Sequence, residues 1–104
     1  MPVYWVTFRL DEQASGDKPK EQRLAEFQSV FAELTDKVWA EPAAFVVFEA
    51  APSMEVVASL LRDAINPATD MFLLHEIDRE DAIICGTYSD PDILLFMPHL
   101  KRLV

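Results

Sequence analysis

Val3-Tyr4-Trp5-Val6-Thr7-Phe8-Arg9-Leu10 decides the fold. Tyr4, Val6, Phe8 and Leu10 fall on one side of this stretch, and Val3, Trp5, Thr7 and Arg9 on the other. A period of two, carried by aromatic and β-branched residues, reads as a strand with one face on a core. Residues 11–20 are polar, hold Gly16 and Pro19, and read as a loop. The period then changes. Leu24, Phe27, Phe31 and Leu34 recur at spacings of three and four, with Val30 beside them, so one apolar stripe predicts a helix. Pro19 suits its first turn and Asp17 its cap. Its end is less sharply marked: Val38 keeps the helical phase, while Thr35-Asp36 offers a break and Val38-Trp39 favours a strand.

The preferred reading is a hairpin, with a short strand over 37–40, a turn at 41–43 and a strand over 44–50. Ser53 caps a second helix whose buried face is Val57, Leu60, Leu61, Ala64 and Ile65, ended by Asn66-Pro67. Further strands are expected at 71–77 and 82–86, joined by a charged turn at 78–81. Asp90-Pro91 then opens a helix of one or two turns before Pro98, and an apolar but basic tail closes the chain. The expected fold is α+β: a single ferredoxin-like βαββαβ domain over 1–104, its antiparallel sheet carrying an extra C-terminal strand and a short helix, with helices on one face.

Composition narrows the function classes. At 104 residues, 51% of them hydrophobic, the chain fits one globular domain. Gly16 and Gly86 are the only glycines, so a glycine-rich phosphate loop is excluded. No apolar run approaches the roughly 20 residues of a membrane span, and no basic segment precedes an apolar stretch as in a secretory signal. With Cys85 as the lone cysteine, a reducing, cytoplasmic setting is expected. The net charge of −9 argues against a nucleic-acid partner, and no motif implies a cofactor or resident metal.

With the more apolar side of the first strand under the helices, Trp5, Thr7 and Arg9 fall on the open face, joined by Phe45, Val47 and Glu49. Such a face is too apolar to stay wet as one patch, so these six are the interface candidates, most simply of a twofold homodimer.

The run Tyr4–Arg9, the segment Trp39…Glu41-Pro42…Phe45, the strand Asp70-Met71-Phe72-Leu73-Leu74 and the tail Met97-Pro98-His99-Leu100-Lys101 resemble a group of uncharacterised bacterial proteins. Those resemble in turn the small dimeric nuclease of CRISPR adaptation and the VapD-type toxin ribonucleases. The resemblance implies a ferredoxin-like homodimer whose last strand pairs with the partner protomer. It also implies a metal-binding aspartate after the aromatic end of strand one. Arg9 stands there instead, and a guanidinium repels a cation, which leaves Asp11 as the candidate catalytic carboxylate.

Other constellations are weaker. His75, His99 and Cys85 lack ligand spacing, and Cys85 reads as buried and inert. Glu49 and Glu76 fall near the start of strand one, either as an acid–base pair or, as preferred here, as salt-bridge partners, Arg9 of a twofold mate among them. The acids of 78–92 read as a solvated hairpin and a helix cap. Leu94-Leu95-Phe96-Met97, with Leu100 and Leu103, reads as packing on its own domain or a dimer mate rather than on a membrane, since Lys101-Arg102 supplies only two bases. The functional expectation is a homodimeric macromolecule-binding module in a defence or toxin–antitoxin setting, with a divalent-metal ribonuclease as the alternative.

Overall fold

In the computed structural model, which describes residues 1–13, 18–79 and 81–104, the alternation of the first strand sets the layers. The elements run β1 (Val3–Arg9), α1 (Lys20–Leu34), β2 (Val38–Trp39), β3 (Phe45–Glu49), α2 (Met54–Arg62), β4 (Met71–Glu76), β5 (Ala82–Gly86), α3 (Ile93–Phe96) and β6 (Leu100–Leu103). They build one six-stranded sheet in the order β2-β3-β1-β4-β5-β6.

Tyr4 and Val6 are fully buried beneath Phe27 and Phe31 of α1 and Met54, Val57 and Leu61 of α2. The α1 stripe inserts two rings, with Phe27 4.6 Å from Phe8 and Phe31 5.0 Å from Phe48. Pro19 stands just ahead of α1, and its carbonyl accepts the Gln22 and Arg23 N–H groups, both at 3.1 Å. Asp17, read as the cap, lies outside the described residues, as do Gly16 and Glu80. Ser53 caps α2 as expected, its Oγ accepting the Val56 N–H at 3.3 Å. Leu60, assigned to the buried face, points outward, and Met54 and Ala58 take up the core positions instead. Met54, Val57, Ala58 and Leu61 recur at spacings of three, one and three along one stripe, and Leu60 falls at its edge.

Two corrections concern the C-terminal third. The sheet is mixed, because Leu100–Leu103 forms a sixth strand parallel to β5. Four residues without clean alternation gave no strand signal. The helices do not all lie on one face either. Buried Leu73, Ala82 and Ile84 face away from α1 and α2, and are covered by Tyr88, Ile93, Met97 and Leu100 from the closing segment. The face expected to be bare is therefore half roofed by α3 and its flanks. The last strand pairs within its own chain.

A buried ion pair ties the loops together. Arg23 and Asp70 are 1% and 0% exposed, with Arg23 Nε 3.0 Å from Asp70 Oδ2. The guanidinium also donates to the carbonyls of Asp11 (2.6 Å), Gln13 (3.1 Å) and Lys18 (3.0 Å). Asp70 accepts N–H groups from Asp11 (2.8 Å) and Asn66 (2.9 Å). Gly86 closes the same corner. With φ at +103°, it lets β5 pass where a Cβ would lie 2.0 Å from the Asp70 carbonyl oxygen.

Candidate functional site

The unroofed half of the sheet carries a row of rings fixed by strand register. Trp39 sits opposite Val47, Val47 opposite Trp5, and Trp5 opposite His75, so β2, β3, β1 and β4 each place one residue in line. Phe45, one pleat repeat from Val47, fills the gap. Its ring lies 6.4 Å from Trp39 and 6.0 Å from Trp5, and Trp5 lies 5.3 Å from His75. Such spacings fit offset and edge-to-face aromatic contact, each worth roughly 0.5–1.5 kcal/mol beyond area burial. Trp39 is 50% exposed, and Trp5, Phe45 and Val47 are half-buried.

His75 ends the row at a hollow of about 400 Å³ that it shares with Phe96, Met97, Pro98 and His99. The Arg79 carbonyl, 2.6 Å from His75 Nε2, only accepts, so the proton is assigned to Nε2. Nδ1 of the same ring is buried without a hydrogen-bond partner among the described residues. Leu94 and Leu95 of α3 face outward, and Phe96, on the rim of the hollow, is exposed as well.

All six interface candidates are brought to this face, but their polar members are held within the chain. The Thr7 hydroxyl donates to the Ala44 carbonyl at 3.1 Å, and Arg9 donates to the Thr87 carbonyl at 2.7 Å. Glu49 lies 3.8 Å from Lys37. Ala44 takes φ +58°, a left-handed conformation that costs a non-glycine residue about 1–2 kcal/mol. Its carbonyl thereby meets both the Phe8 N–H, at 3.2 Å, and the Thr7 hydroxyl.

Glu49 and Glu76 are not a carboxylate pair. Glu49 sits opposite Val3 and Glu76 opposite Tyr4, and adjacent residues of a strand point to opposite faces. Glu76 has its own base, Arg79, at 3.6 Å. Asp11 lies beyond the end of β1, where its carboxylate accepts the Gln13 N–H at 2.9 Å and its backbone is gripped by Arg23 and Asp70. Among the described residues, no three His, Cys, Asp or Glu side chains gather as metal ligands would. Asp70 itself titrates low: burial pushes its carboxyl up, but hydrogen bonds from Asn66, Asp11 and Arg23, with the Arg23 charge, outweigh it. Burial pushes the Cys85 thiol up, against a smaller pull from Arg62.

Trp39 and His75 were visible in the sequence as strand residues but not as members of one row. Their alignment needs the cross-strand register, which alternation within one strand does not carry. Among the described residues, no helix is long and apolar enough to cross a membrane. No family model matches the chain, and neither a curated protein nor a solved structure matches it.

Proposed function

We propose that the chain is a protein-interaction module that works as a cytoplasmic homodimer through the Trp5–Phe45–Trp39 half of its open face. In this reading β2-β3-β1-β4 is a ferredoxin-like unit, and β5, α3 and β6 extend it. The observation that carries the proposal is the aligned ring row left half in water beside a roofed half of the same sheet. Monomers rarely leave contiguous apolar patches beyond a few hundred Å² uncovered. Rings held in tilted and edge-to-face contact are also pre-organised, since little side-chain entropy remains to be lost.

Trp5 and Trp39 are the chain's two tryptophans, so intrinsic fluorescence reports on this surface directly. Dilution should shift the emission to the red as the dimer parts, and Phe45→Glu should emit red at every concentration. An emission maximum unchanged by dilution, with Phe45→Glu matching the wild type, refutes the proposal.

A further inference from the structure

Resting on that reading, we infer that the dimer forms by reciprocal exchange, with Leu95 and Phe96 of each protomer docked on the Trp39–Phe45 shelf of a second copy. The helix α3 is oriented backwards for a solvated element. Ile93 and Met97 pin it to the sheet, and the residues it turns outward are Leu94, Leu95 and Phe96, exposed by 49%, 78% and 81%. A surface helix ordinarily presents polar side chains there. The shelf lies on the same side of the sheet, beyond the Trp5 and His75 rings.

A protruding knob beside a flat shelf on one face is self-complementary under a twofold axis. The knob of one copy meets the shelf of the other, and the converse contact follows from symmetry. Covering both removes roughly 400–500 Å² of side-chain surface per protomer, given their exposures, so that with its rim the contact reaches the low end of specific interfaces. The shelf's carboxylate, Glu49, already has Lys37 at 3.8 Å, so the contact strands no lone charge. Neither a knob alone nor a shelf alone reaches that area. A second copy supplies both.

The test uses two variants of the full chain: Leu95→Ser/Phe96→Ser, which lacks the knob, and Trp39→Ser, which lacks the shelf, neither adding charge to a chain of net −9. The altered side chains are at least half exposed, and far-ultraviolet circular dichroism checks that both proteins fold. Each variant alone should lose self-association by on the order of 100-fold or more in Kd. Mixed, they should recover a 1:1 heterodimer of intermediate affinity, because one intact knob then meets one intact shelf. If both variants still dimerise and their mixture gains nothing, reciprocal exchange is wrong and the homodimer stands on some other packing. A wild-type protein that is monomeric overturns this inference together with the reading beneath it.

Discussion

Replacing Asp70 by Asn keeps the shape of the side chain and removes the charge that faces Arg23. Oδ2 receives Arg23 Nε at 3.0 Å and the Asn66 N–H at 2.9 Å, and Oδ1 receives the Asp11 N–H at 2.8 Å. Whichever oxygen becomes the amide nitrogen then turns hydrogens toward donors. A buried guanidinium is left without its counter-charge at the same time. Breaking one side of a buried pair costs about 3–5 kcal/mol, a large share of the ~5–15 kcal/mol that holds a domain of this size. Urea unfolding at a single protein concentration reads the loss, best in the knob-less background, where self-association does not add to stability. The pH profile supplies a second readout. The folded Asp70 pKa is lowered, so its contribution is fully present above the unfolded value of about 4 and fades as pH falls through the folded one. Asp70→Asn should flatten that acid limb. A loss below about 1 kcal/mol, with the acid limb unchanged, refutes the clasp.

Raising salt should tighten the dimer, because protomers of net charge −9 repel each other and screening relieves it; sedimentation equilibrium at low and high ionic strength reads the direction, and weakening by salt would contradict it. Gly86→Ala should cost more than about 2 kcal/mol in thermal or urea unfolding, since φ +103° and a 2.0 Å approach to the Asp70 carbonyl oxygen both exclude a Cβ; a neutral substitution would mean that the β5 corner is placed wrongly. With magnesium or manganese the protein should leave RNA intact on a denaturing gel, because Asp11 is bound up with Gln13 and the Arg23 clasp. Cleavage that disappears in Asp11→Asn while surviving in Arg9→Ala would replace the binding reading by the ribonuclease one.

Period and caps were enough to place most elements. The β1 alternation chose the buried face, Ser53 set the start of α2, and Asn66-Pro67 marked where the chain turns back toward β4. Residues whose meaning depends on distant neighbours were not legible. Arg23 and Asp70 stand 47 positions apart, and nothing in the spacing joins them, yet together they form a buried ion pair. The sixth strand was hidden because Lys101 and Arg102 interrupt its apolar ends, and its partner β5 lies beyond α3 in sequence. Of the candidate surface, Trp5 and Phe45 followed from parity alone. Adding Trp39 and His75 required knowing which strands are neighbours and in what register.

The most direct measurement is the mass of the wild-type protein by multi-angle light scattering at micromolar concentration. The account predicts twice the 11.8 kDa of one chain, falling toward the single value only on dilution. A mass of 11.8 kDa at every concentration would mean that the ring row and the α3 knob stay in water unaided, and the account would be wrong.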